Sequence, residues 1–457
     1  MSNTVNSKTL DMTKGNIFSL IVKFAIPLVL GNLFQQLYTM TDTWVLGNYV
    51  GNEQYSAVGA CSPIMLIVLN GMMGFSTGIG IVISRYFGAR DSESLKRSSQ
   101  TAMVIALFCA VFFTTLGVSL SPAILRLTKV PEESLEYAIT YLRIIFSFVS
   151  AQAFYNVGAA VLRAVGDSRK PFFFLMTASL MNIALDLLFV IKFDMGVAGV
   201  AYATAISQMT AAVLTVIELL RSSTQVRLHL NGWYFDKNIC RSMVSVGLPT
   251  GLQMSLNMVA NTFIQSYINA LGTDFLSGYT TYHKVQELLF TTNNSIGGGC
   301  MTFVSQNLGA GNAKRAKEGV KVSMLIQVVS SLILVGLMIV FAPNIVAFFN
   351  AKEEVVKYGT LAIRIITSSF PLHGISAIVM YALRGAGNTK GPFLSMLGCT
   401  IGIRLSYLYL ITKYVANTPV TVLLSFTVGW TTNLIVILIM YLRTDFESKA
   451  GLIRSKM

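Results

Sequence analysis

Three of the twenty acidic residues, Asp42, Asp186 and Glu287, lie inside long apolar runs; the other seventeen fall in loops or at the ends of such runs. A carboxylate in a bilayer-spanning helix costs about 2.5–3.5 kcal/mol on insertion scales, and such residues usually face a bundle interior and carry an ion, a proton or a partner. Asp186 stands in the run SLMNIALDLLFV at 179–190, with Asn182 one helical turn before it. That spacing puts the amide and the acid on one helix face. Two carboxylates sharing a buried site hold a proton between them, and amide and hydroxyl oxygens added to the pair make a donor set for Na⁺. The chemistry on offer is therefore reversible cation binding, provided the fold brings Asp42 and Asp186 to one place.

Those acids must be positioned by membrane helices. The 457 residues are 53% hydrophobic and 12% charged, with a mean hydropathy of +0.63; soluble domains carry about 25% charged residues. Apolar stretches of about 20 residues, the length that crosses a bilayer as a helix, occur twelve times, at 17–42, 57–83, 98–120, 136–158, 170–192, 197–220, 240–267, 276–300, 320–342, 357–380, 392–414 and 418–442. The first sixteen residues are polar and the first apolar run is full length, so no separate cleavable signal is expected. Of the 34 Lys and Arg residues, 23 fall in one set of alternating segments and six in the other. The positive-inside rule then predicts cytoplasmic termini and a multi-pass protein of the cell membrane. Asp42 and Asp186 both come late in outward-running spans, which gives them similar depth in the outer half.

The chain also repeats itself. YAITYLRII at 137–145 matches YGTLAIRII at 358–366, an offset of 221, and the same offset pairs LRAVGD at 162–167 with LRGAGN at 383–388, and Pro171 with Pro392. Pro27 and Pro249, near the starts of spans one and seven, match within one residue, and each is expected to kink its helix. The expected fold is all-α and integral to the membrane: twelve helices in two six-helix bundles related by a pseudo-twofold axis, a common transporter design. The boundaries predicted are 1–221 for the first bundle, 222–237 for a cytoplasmic linker and 238–457 for the second. The net charge of +14 follows the loops and is read as topology, not nucleic-acid binding. Five scattered cysteines lack metal spacing and imply no disulfide framework. No P-loop, His-Glu-x-x-His or soluble acid pair is present, so no enzyme is expected and no cofactor beyond a coupling Na⁺ or H⁺.

Taken together, FAIPLVLGN at 24–32, TMTDTWVLG at 39–47, SRYFGA at 84–89, LRAVGD at 162–167, NIALD at 182–186 and GVAGVAYAT at 196–204 resemble the multidrug and toxic compound extrusion (MATE) transporters over nearly the whole chain. The resemblance implies a V-shaped pair of lobes, alternating access, and export of amphipathic, often cationic, drug-like compounds against inward Na⁺ or H⁺ flow. It also supplies oxygens for the acids: Asn182 matches the motif Asn, Thr204 the span-six Thr, and Tyr141 a span-four Tyr facing the acid pair. The expected cation-coupling site is Asp42, Asp186, Asn182, Tyr141 and Thr204, with Asp42, Asp186 and Asn182 as metal ligands if the ion is Na⁺. At the repeat offset Asp186 corresponds to Tyr407 and Asn182 to Ile403, so coupling is expected in the first bundle alone.

The second bundle has charges of its own. His283 and Glu287 are one turn apart in span eight, beside Lys284, and Arg404 lies midway along span eleven. One reading pairs Glu287 with Lys284 or Arg404 to fix packing. The other places Glu287, Arg404, His283 and Met258 in a substrate cleft, with Met supplying an adaptable surface. Arg143 and Arg364, equivalent in the repeat, are expected to tie helices together near the outer surface. The partners implied are small, cationic organic substrates and membrane lipid, with the chain acting as a monomer. The alternative functions are a flippase for a lipid-linked saccharide or peptidoglycan precursor, and a non-transporting membrane scaffold.

Overall fold

The computed structural model describes residues 10–222, 226–228 and 234–455. Of the predicted linker, residues 223–225 and 229–233 lie outside the described residues, as do Lys8 and Lys456. The described chain is helical, and its long helices follow the twelve apolar runs one for one. Span one is Ile17–Tyr49, span two Asn52–Ala89, span three Ser92–Leu127, and span four the pair Glu132–Ser147 and Val149–Ala164. Span five is Arg169–Asp186, continued by a π-helical segment Leu187–Lys192, and span six is Gly196–Arg221. Spans seven, eight and nine are Lys237–Asn269, Thr273–Gly309 and Ala313–Val340. Span ten is the pair Glu353–Ser368 and Phe370–Gly385; span eleven runs Lys390–Ser395, a π segment Met396–Ile403, and Arg404–Tyr414; span twelve is Pro419–Leu442. Short helices Ala342–Phe349 and Phe446–Ser455 are additional. Among the described residues, eight of these helices, and the two bent pairs as single units, are long and apolar enough to cross a membrane. Spans seven and eight, 33 and 37 residues, are more polar and complete the twelve.

Repeat-equivalent residues build equivalent joints. Span four bends by 42° at Phe148 and span ten by 45° at Ser369, 221 positions later. By contrast, span one runs as a single helix through Pro27 and span seven through Pro249. At the end of spans four and ten, Gly166 (φ 86°) and Gly387 (φ 80°) adopt the left-handed conformation, which glycine takes without steric cost. The residue after each glycine then caps the start of the next span: Asp167 Oδ1 accepts from the Lys170 amide at 3.1 Å and Asn388 Oδ1 from the Gly391 amide at 3.0 Å. Asp91 and Asn312 cap spans three and nine, accepting from Ser94 N at 3.0 Å and Arg315 N at 3.1 Å. Ser84 donates to Ala164 O and Ser305 to Gly385 O, both at 3.2 Å.

The chain forms two compact units that divide it differently from the repeat. Unit 1 is Met1–Asp11 with Ile26–Gly251, and unit 2 is Met12–Ala25 with Leu252–Met457. The start of span seven therefore packs in unit 1, where glycines make it fit. A Cβ on Gly74 would lie 2.2 Å from Gly251 Cα, and one on Gly78 2.4 Å from Met243 O and 2.7 Å from Gly247 Cα. Gly74 and Gly78 are four apart, as are Gly247 and Gly251, the small-residue spacing that lets membrane helices touch backbone to backbone. The start of span one packs in unit 2. There Met12 N–H donates to Gln306 Oε1 at 3.0 Å and Met12 O accepts from Asn307 Nδ2 at 3.1 Å. Phe24 and Ile21 then lie over Gly299. The two compact units thus divide the chain inside spans one and seven, next to Pro27 and Pro249.

Candidate functional site

The acids of unit 1 meet. Asp42, half-buried on span one, and Asp186, 0% exposed at the end of the α-helical part of span five, place their carboxyl groups close enough to interact electrostatically. Asp42 Oδ1 and both oxygens of Asp186 are buried and find no other donor among the described residues. Asn182, 1% exposed on the same face of span five, leaves both amide atoms unpartnered there. Tyr141, buried in the first helix of span four, is in electrostatic range of both acids. Thr204 on span six, which packs against span five, has a buried hydroxyl with no partner among the described residues. Buried polar atoms are nearly always satisfied, so this accumulation makes the cluster the candidate site.

Three further side chains belong to the cluster. Tyr38, one turn before Asp42, approaches both that acid and Gln208, which lies one turn after Thr204. Gln208 Oε1 and the hydroxyl of Ser179, one turn before Asn182, are also buried and unpartnered. The signal that finds them is the same i,i+3 and i,i+4 spacing that ties Asn182 to Asp186, applied outward from each polar residue. One turn beyond the acids, Val45, Leu46, Val190 and Val200 form a buried apolar cluster joining spans one, five and six. The polar atoms thus lie on one side of the acids and an apolar plug on the other. The π segment begins directly after Asp186 and carries Val190; such segments recur at functional sites because they re-aim side chains within a helix.

Unit 2 arranges its charges otherwise. Glu287 is half-buried, His283 and Lys284 are exposed, and Met258 is half-buried. Among the described residues Glu287 forms no ion pair with Lys284 or Arg404; Lys284 lies over the Phe349 ring at 5.6 Å instead. Arg404 is 2% exposed and sits with Phe426, Tyr279 and Tyr282, not with Glu287. The side chains of Arg143 and Arg364 make no ion pair or hydrogen bond among the described residues, both residues being exposed, so neither ties helices together.

The MatE family model matches residues 27–188 and again 249–410, covering both halves of the repeat and the whole acid pair. The chain belongs to the MatE family. Its relatives include the probable multidrug resistance protein YpnP of Bacillus subtilis, 28% identical over 83% of this chain and 85% of that one. The probable multidrug resistance protein NorM of Thermotoga maritima is 28% identical over 86% and 85%. The multidrug export protein MepA of Staphylococcus aureus is 23% identical over 83% and 84%. Among solved structures, an outward-facing multidrug resistance MATE family transporter of the MOP superfamily superposes with a TM-score of 0.90 at 21% identity, covering 99% of this chain and 100% of that one. A MATE in a bent conformation gives 0.86 at 20% identity, covering 97% and 98%. As a MatE protein the chain is an all-α, multi-pass membrane transporter and not an enzyme.

Proposed function

We propose that this MatE protein exports chemically varied, amphipathic and often cationic organic compounds across the cell membrane, with both termini cytoplasmic, in exchange for an inward-moving H⁺ or Na⁺. The relatives' names support drug export. The observation that carries the coupling is the Asp42–Asp186 pair, whose buried oxygens have no other donor among the described residues. Two adjacent carboxyls in a buried site repel when both are ionised, and either a shared proton or a bound cation relieves that repulsion. Asn182, Thr204 and Tyr141 add neutral oxygens suited to a hard cation, and the same groups hydrogen-bond a protonated pair. Exchange is the expected mode, with the pair binding the cation that drives it.

The test is efflux of ethidium from proteoliposomes with Na⁺ and pH gradients imposed separately. The wild type should respond to one of the two gradients, and Asp186→Asn should lose that response. Full, gradient-driven efflux by Asp186→Asn would overturn the assignment.

A further inference from the structure

Arg404 is a buried charge that cation coupling does not use. It opens the last stretch of span eleven, directly after the π segment Met396–Ile403. Its repeat counterpart is Ile183, beside Asn182 of the cation site. The side chain is 2% exposed, and Nε and Nη2 are buried without a hydrogen-bond acceptor among the described residues. No acid compensates it: the described ion pairs of unit 2 are Lys352–Asp274, Lys357–Glu354 and Lys317–Glu447, none of which involves it. What it does have is the face of Phe426, 3.7 Å from the guanidinium carbon to the ring centre. Gly429 makes room for its stem, since a Cβ there would lie 3.1 Å from Arg404 Cδ. Tyr279 and Tyr282 lie within electrostatic range, and the Tyr282 hydroxyl, in a fully buried residue, also lacks a partner among the described residues.

A ring face attracts a guanidinium, but that attraction is smaller than the penalty for taking an unpaired ion out of water. Arginine does not escape the penalty by losing its proton. The group that completes the site must carry negative charge and accept hydrogen bonds, because Arg404 has donors alone and the tyrosine hydroxyl is free to donate. It must also be small. Tyr279, Tyr282, Phe426 and Trp430 all belong to the close-packed core of unit 2. We propose that unit 2 carries a buried site for a small monovalent anion of the chloride class, formed by Arg404 Nε and Nη2 with the Tyr282 hydroxyl, beside the Phe426 ring. The two units then hold ions of opposite sign at related repeat positions, a mobile cation in unit 1 and an inorganic anion in unit 2.

The test uses the full-length protein purified in detergent, with gluconate replaced stepwise by chloride or bromide at constant Na⁺, pH and ionic strength. Thermal unfolding of the wild type should shift upward by several degrees and saturate with halide. Arg404→Gln should show no shift, Tyr282→Phe should need several-fold more halide, and Asp186→Asn should keep the wild-type response. Crystals grown in bromide should show an anomalous peak beside Arg404, which tests the site in the wild type if Arg404→Gln fails to fold. No halide-dependent shift in the wild type, a shift that persists in Arg404→Gln, or bromide peaks only elsewhere would each overturn the proposal. None of these outcomes depends on whether Asp186 couples transport.

Discussion

Asp186 in span five and Tyr407 in span eleven occupy equivalent repeat positions, and around them the two halves differ in almost every polar group. In unit 1 the position holds a fully buried acid facing a second acid, with Asn182 one turn before it. In unit 2 it holds a half-buried tyrosine, with Ile403 where the amide would be and the buried guanidinium of Arg404 next to it. The joints meanwhile match closely: the bends at Phe148 and Ser369, the left-handed Gly166 and Gly387, the caps Asp91 and Asn312, the bonds from Ser84 and Ser305. The residues that set helix direction and length match between the halves, and the buried acid and amide of span five do not. A repeat of this kind predicts architecture in both halves and chemistry in neither.

The comparison breaks most readily at the acids. Asp186→Asn should lower gradient-driven efflux at least about tenfold, equivalent to ~1.4 kcal/mol of coupling, whereas Tyr407→Phe should leave it unchanged; equal losses at the two positions would end the idea of a one-sided coupling site. Glycines test the packing. Gly78 and Gly299 are repeat equivalents, but a Cβ at Gly78 meets the Met243 carbonyl and Gly247 backbone, while one at Gly299 makes ordinary 3.5 Å contact with Phe24. Gly78→Ala should therefore cost about 1–3 kcal/mol, the usual cost of overpacking, and Gly299→Ala within about 0.5 kcal/mol, both read from thermal unfolding in detergent.

The capping pair should behave symmetrically: Asp91→Ala and Asn312→Ala should each cost about 1 kcal/mol, and a difference larger than the cost itself would show that the joints have diverged too. The smallest effect expected is at Tyr38. Tyr38→Phe removes one hydroxyl from the rim of the acid pair and should raise the half-saturating cation concentration about two- to threefold, ~0.5 kcal/mol for one neutral hydrogen bond, with maximal efflux retained.

Much of this is legible in the residues alone. A charge in an apolar run is expensive, so Asp42 and Asp186 stand out, Asn182 follows from its spacing, and twelve apolar runs with alternating basic loops specify a bundle. Tyr38, Gln208 and Ser179 do not stand out, because neutral polar residues cost little in a membrane helix and acquire meaning only from their neighbours. Glu287 is a plausible partner for Arg404 by charge alone; helix rotation, which hydropathy does not report, separates them. The division of the chain inside spans one and seven is hidden for a different reason. At span seven it rests on backbone contact between glycines, an interaction made by the absence of side chains, although the spacing of Gly74 with Gly78 and of Gly247 with Gly251 carries it. Pro27 and Pro249 lie inside continuous helices, whereas the breaks fall at Phe148, with no proline beside it, and at Ser369, two residues before Pro371.

The hydrogen bond from Met12 to Gln306 joins residues 294 positions apart. Because Met12–Ala25 belongs to unit 2, whose remaining residues begin at Leu252, span one leaves the ribosome with no finished place for its leading end until the second half has been made. At 5–20 residues per second that wait is about 15–60 s. For that interval a segment holding Phe24 and Ile21 must be kept by lipid, by the insertion machinery or by transient contacts. Docking of Met12–Ala25 therefore waits for the second half, and a chain that stalls midway is left with that segment undocked.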